Sequence, residues 1–105
     1  MSSSADFNEV FSAKIRLGIM ALLVTTDDID FSTLKNRLDV TDGNLGAHLR
    51  VLEEKEYVTV QKGFYGRRPK TSYTITAEGR EAFLSHLQHL ENIIRSVYPD
   101  NTERR

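Results

Sequence analysis

Apolar residues first fall into a helical rhythm in FSAKIRLGIMALLVT, where Ile15, Ile19, Leu22 and Leu23 share one face. Ser12 offers an N-cap for this helix, and Phe7 is placed to pack just before it. TTDDID breaks the rhythm, and Ile29 and Phe31 then alternate with aspartates, as in a very short strand. In STLKNRLDV, Ser32 can cap a short helix in which Leu34 and Leu38 lie four apart, and Asp39 ends it. TDGNLGAHLRVLEEKE supplies a third helix: Thr41 caps it, Asp42 complements its positive end, and Leu45, Leu49 and Leu52 form a buried stripe. Gly43 and Gly46, in its first turns, each cost about 1 kcal/mol relative to alanine, so something is expected to approach the backbone closely there.

The period then changes from helical to alternating. Val58, Val60 and Phe64 are in phase along one strand, and Tyr73 and Ile75 along the next. YGRRPK between them predicts a hairpin with a longish loop, stiffened by Gly66 and Pro69. Thr76 caps a last helix, AEGREAFLSHLQHLENIIRSVY, which stops before Pro99 and leaves DNTERR as a frayed tail. Phe83, Leu87, Leu90, Ile94 and Val97 recur in steps of four and three, the spacing of a helix that packs along another helix. A chain of 105 residues has little else with which to bury Leu90 to Val97, so this seam predicts a homodimer, helped by residues 5–15.

Composition narrows the class. The length suits one domain, and 39% apolar residues suit a folded one. No run approaches a membrane span, and the N-terminus lacks the cationic and apolar blocks of a secretory signal. The chain has no cysteine, which excludes disulfides and thiolate metal sites and fits a cytoplasmic protein. Net charge is only −1, but the cations are unevenly placed. Residues 1–56 hold six Lys/Arg against ten Asp/Glu, whereas residues 57–77 hold four cations and no acid. Those four are Lys62, Arg67, Arg68 and Lys70, all on the hairpin, where a local positive potential can attract phosphate.

Two short helices, the second well capped, followed directly by a basic hairpin predict a mainly α fold with a small β-hairpin, a winged helix-turn-helix. The chain resembles the winged-helix transcriptional regulators of the MarR-like and ArsR-like type, especially small single-domain prokaryotic ones. The residues that carry the likeness are IRLGIMALL, LDVTDGNLGAHLRVLEEKEYV and GRRPKTSYTITAEGREAF, across roughly residues 11–84. The resemblance implies a homodimer that binds double-stranded DNA. It implies one domain over 1–105, with helix-turn-helix and wing over 11–76 and a C-terminal dimerisation helix over 77–98. It also leaves room for a small-molecule effector, between the dimer helices and the DNA-reading lobes.

On a helical wheel, Gly43, Ala47, Arg50 and Val51 face away from the leucine stripe of helix 41–56, with Asn44 on the flank. These small side chains suit entry into a major groove about 12 Å wide. Asn44 can pair with adenine, Ala47 can touch a thymine methyl, and Arg50 can reach guanine or a phosphate. Thr41 and the first amides can hold a phosphate. His48 lies nearer the buried stripe, where packing competes with DNA contact. The wing, 62–71, is expected to supply affinity through phosphates or the minor groove.

Other classes fit less well. An enzyme is not expected: there is no cysteine nucleophile, no glycine-rich phosphate loop, and no acid and nucleophile paired with His48, His86 or His89. No cofactor or metal is called for. A metal-sensing variant would use His86 and His89, three apart on the last helix. A winged helix that docks onto a protein without touching DNA is the stronger alternative.

Overall fold

A computed structural model describes residues 8–98; Phe7, the other residues before Asn8 and the DNTERR tail lie outside the described residues. A 3-10 turn, Glu9–Ser12, leads into α1 (Lys14–Val24), followed by β1 (Ile29–Asp30), α2 (Phe31–Leu38) and α3 (Asp42–Glu54). The hairpin β2 (Val58–Tyr65) and β3 (Arg68–Ile75) precedes α4 (Ala77–Val97). The sheet is antiparallel with order β1-β3-β2. One core joins all of it: Ile19, Met20 and Leu23 of α1 meet Leu34 of α2, the Leu45, Leu49 and Leu52 stripe, Val58, Tyr73 and Phe83.

Several caps differ from those expected. Asn8, not Ser12, begins the first turn, since its Oδ1 accepts from the Val10 N–H at 3.0 Å. Ser12 instead donates to the Glu9 carbonyl, and α1 starts on Ala13 with no side-chain cap. Asp30, not Ser32, caps α2, accepting from the Thr33 N–H at 3.3 Å. Phe31 therefore belongs to the helix and the strand stops at Asp30. Thr41 and Thr76 do cap α3 and α4, accepting from Asn44 and Gly79.

The hairpin is longer and its turn tighter than the loop chemistry suggested. Tyr65 pairs with Arg68, leaving only Gly66 and Arg67 between the strands. Gly66 has φ +64° and Arg67 does not share it, the pattern of a type II′ turn, in which the first central residue needs the left-handed freedom of glycine. Pro69 is thus a strand residue, opposite Phe64. The pair that flanks a two-residue turn exchanges both hydrogen bonds, so the next pair out points its N–H groups away. β1 reaches only Ser72 and Tyr73, so Pro69 sits where β3 has no second neighbour and no donor is missed.

The base of this hairpin is fixed by a compact joint. After α3, the Glu56 N–H donates to the Glu53 carbonyl at 2.9 Å and the Tyr57 N–H to the Leu52 carbonyl at 3.0 Å, a Schellman ending with Glu56 at φ 65°. The Tyr57 carbonyl then accepts the Thr76 N–H at 3.0 Å, and the Thr76 hydroxyl donates to the Glu56 carbonyl at 2.8 Å. α4 starts hard against this corner, where a Cβ on Gly79 would collide with the Tyr57 carbonyl oxygen. Because that neighbour is backbone, it cannot rotate away. Gly79→Ala is expected to destabilise the fold by about 3 kcal/mol, measured as a lowered urea midpoint, despite alanine's better helix propensity.

Candidate nucleic-acid interface

The N-terminal half of α3 stands clear of the body on its outer side. Thr41, Gly43, Asn44, Ala47 and Arg50 are exposed, whereas Leu45 and Leu49 between them are buried. The amphipathic stripe anchors the helix and so decides which residues look outward. Among the described residues, nothing beyond the adjoining helix backbone lies within 4 Å of a Cβ built on Gly43 or Gly46. The expected close approach is therefore not made within the described chain; the glycines leave an open, low surface. Thr41 Oγ1 accepts from the Asn44 N–H at 3.1 Å, and its hydroxyl can still donate. Lys35 of α2 forms a 2.9 Å ion pair with Asp42, tying the two helices together at this end.

Val51, expected on the outer face, turns inward, and His48 lies toward the buried stripe as its position on the helix suggested. Val51 is half-buried and packs against the core. His48 is half-buried as well, and its Nδ1 lies 3.0 Å from Nη1 of Arg16. Arginine can only donate, so Nδ1 accepts and the ring carries its proton on Nε2. Arg16 is itself held by a 2.6 Å bond from Nε to the Val10 carbonyl. Burial, aided by the Arg16 charge, lowers the His48 pKa below its usual value. His48 thus braces α3 against α1. The sequence carries no signal for this contact, since the partners are 32 residues apart.

The hairpin cations are all exposed, but they divide between its faces. Residues two apart along a strand share a face. Lys62, Phe64 and Pro69 continue the face whose inner end buries Val58 and Tyr73. Tyr65, Arg68 and Lys70 occupy the other face, and Arg67 sits at the turn. The Lys70 ammonium lies 5.9 Å from the Tyr65 ring centroid, within cation–π range. Tyr65, Arg68 and Lys70 also border a groove of about 350 Å³ whose far side is Asp30 and Ser32. The phase of Phe64 suggested an inward side chain, but it is 73% exposed and Tyr65 75%. The strand outruns the helices beneath it, so alternation continues where there is no core to meet.

An exposed face of a capped helix and a basic ribbon beside it are the two parts a duplex reader needs, and the chain's relatives agree. Residues 15–94 match the family model of the winged helix DNA-binding domain. The chain belongs to that family. The winged helix is 35% identical over 89 residues to an uncharacterized protein of Methanocaldococcus jannaschii, covering 85% of this chain and 97% of that one. It is also 35% identical to a transcriptional regulator homologue of Pyrococcus horikoshii OT3, with a TM-score of 0.74 over 85% of this chain and 93% of that chain. A protein assigned to the MarR family of transcriptional regulators, from Enterococcus faecalis V583, shares the fold at 23% identity, with a TM-score of 0.71 over 90% and 84% of the two chains. In this chain α2 and α3 are the helix-turn-helix, and β2–β3 is the wing.

α4 of the winged helix carries the remaining expected residues. Phe83 is buried in its own core and Leu90 is half-buried, but Leu87, Ile94 and Val97 are exposed, and so are Leu84, Ile93 and Tyr98, which the heptad spacing passed over. His86 is buried against the Phe11 ring, with centroids 5.3 Å apart, and its Nδ1 accepts from the Asn8 N–H at 3.4 Å. That places one histidine of the imagined metal pair inside the fold. No group of three or more His, Cys, Asp or Glu suited to a metal occurs among the described residues. No helix among them is long and apolar enough to cross a membrane.

Burial lowers the His86 pKa, with the nearby His89 adding to it. Both His48 and His86 therefore resist protonation when folded, and the unfolded chain binds more protons as pH falls through about 6.5. Their contribution is complete above that pH and declines below it. Asp30 adds a dependence of the same sign at much lower pH: hydrogen bonds from Thr33 hold its pKa under 3.8, so its contribution too is lost as pH falls through the folded-state value. The urea midpoint is expected to fall steadily from pH 7.5 to 5, and the double variant His48→Gln, His86→Gln to show a flatter slope over that range.

Proposed function

We propose that the protein is a transcriptional regulator that binds double-stranded DNA as a homodimer, with α3 in the major groove and the wing on phosphates or in the minor groove. The observation that carries the proposal is the pairing of an open α3 face with an acid-free ribbon bearing Lys62, Arg67, Arg68 and Lys70. An α3 start built of Gly43, Asn44, Gly46 and Ala47 leaves room for base edges close to the helix backbone. In this assignment Asn44 and Arg50 supply base contacts, Ala47 meets a thymine methyl, and Thr41 with the Gly43 amide holds a phosphate. His48 acts behind them by fixing the helix. The similar proteins, regulators among them, point the same way.

The dimer rests on α4. Beyond Leu90 every described residue of this helix is exposed, and Ile93, Ile94, Val97 and Tyr98 form an apolar strip with nothing of the described chain over it. An apolar groove of about 350 Å³, lined by Asn8, Glu9, Phe11, Ser12, Leu17, His86 and Leu90, continues the strip toward the body. A second α4 lying along this surface would bury both and set two α3 helices about a two-fold axis, matching a palindromic site. The unit taken to do this is the single domain 1–105, with 11–76 reading DNA and 77–98 pairing the protomers.

Two measurements test the two halves. Duplex binding by the wild type is expected to weaken steeply with salt, and Arg67→Ala with Arg68→Ala to make the log–log slope shallower by about two per protomer, with a similar loss for every sequence. Binding that ignores salt would favour a protein-docking module instead. In sedimentation, Ile94→Asp with Val97→Asp is expected to turn a micromolar dimer into a folded monomer. A wild type that sediments as a monomer removes the two-fold arrangement.

A further inference from the structure

We propose that Phe64 is an apolar wedge with which the wing enters the minor groove and opens the stacking of a base step. The inference rests on the DNA-binding assignment above and adds a mode of contact to it.

Phe64 is mostly exposed near the end of a ribbon that has already left the core. Its neighbour across the strands is Pro69, a second apolar side chain, in a pair of the wide-spaced kind whose side chains approach most closely. Lys62 lies on the same face toward the body, and Arg67 lies ahead of it in the turn. An apolar point between cations, on a segment without a single acid, is complementary to a surface with an uncharged floor and phosphate on both rims. The minor groove of a duplex is such a surface, about 6 Å wide, and phenylalanine is among the side chains that part base steps there. Phe64 has no polar atom, so it gains nothing from a phosphate and its natural depth is the groove floor. Tyr65 differs: its ring lies on the other face with Lys70 near it, the arrangement of a backbone contact.

A wedge makes predictions that a cation does not. It displaces no counterion, so its removal lowers affinity at every salt concentration without changing the slope. It favours steps that unstack easily, so a duplex rich in TA steps should bind better than an A-tract duplex of identical composition.

The test uses the full-length protein and two fluorescein-labelled duplexes of equal length and composition, one with TA steps and one with A-tracts, titrated by anisotropy over a range of salt. Wild type is expected to prefer the TA-step duplex. Phe64→Ala is expected to bind it about ten-fold more weakly with an unchanged salt slope and to lose the preference, while Phe64→Leu retains most of both. Circular dichroism of each variant checks that the exposed substitution leaves the fold intact. If wild type binds and Phe64→Ala matches it, or weakens with a shallower slope, the wedge is wrong and the DNA assignment stands. If wild type binds neither duplex in a salt-dependent way, the DNA assignment itself fails and takes the wedge with it.

Discussion

The corner at Glu56–Tyr57 and Thr76–Gly79 holds the rest of the molecule in register. Four elements meet there: the end of α3, the first residue before β2, the last after β3, and the start of α4. The Thr76 hydroxyl donates to the Glu56 carbonyl and accepts from the Gly79 N–H, so one oxygen joins the end of α3 to the start of α4. Tyr57 extends the joint to the N-terminal turn, since its hydroxyl accepts from Asn8 Nδ2 at 3.0 Å and its ring stacks on Phe11 at 5.6 Å. Phe11 in turn meets Phe83 edge-on at 5.5 Å. The direction of the wing relative to α3 is therefore set at its root, by backbone bonds with little rotational freedom, rather than at its exposed tip.

This division of stiffness suits a duplex reader. A ribbon whose far end has no core partner can adapt to groove width, but only if its base is fixed with respect to the helix beside it. The same logic explains the inward turn of His48. Its bond to Arg16 ties α3 to α1, and the Lys35–Asp42 ion pair ties the start of α3 to α2. Side chains that brace the helix are as necessary to its orientation as those that look outward.

Much of the fold was legible in the sequence because the strongest signals are periodic and local. The Leu45, Leu49, Leu52 stripe, the caps at Thr41 and Thr76 and the element order all follow from spacing and cap chemistry. What was not legible depends on choices between near-equal local options or on distant partners. Ser32 and Asp30 are both good caps, and pairing of Ile29 and Asp30 with Tyr73 and Ser72 decides for Asp30 by fixing where the strand ends. Pro69 looks like a loop residue until one knows that β1 is too short to reach it. Gly66 is compatible with a long loop or a two-residue turn, and only the strand register separates them. His86 appeared as a ligand on a helix flank, but its place is set by Asn8 and Phe11, more than seventy residues earlier.

The candidate interface shows the same limit from the other side. Alternation tells which residues share a face of a strand, and Phe64 does share one with Val58 and Val60. Alternation cannot tell how far the core extends beneath that face, and here it ends before the strand does. The period that buries Val58 at the root therefore presents Phe64 at the end, with Lys62 between them on the same side. A single two-residue repeat thus passes from packing to presentation along one strand. The change of role comes from where the helices stop, a property of tertiary structure that the hairpin sequence does not contain.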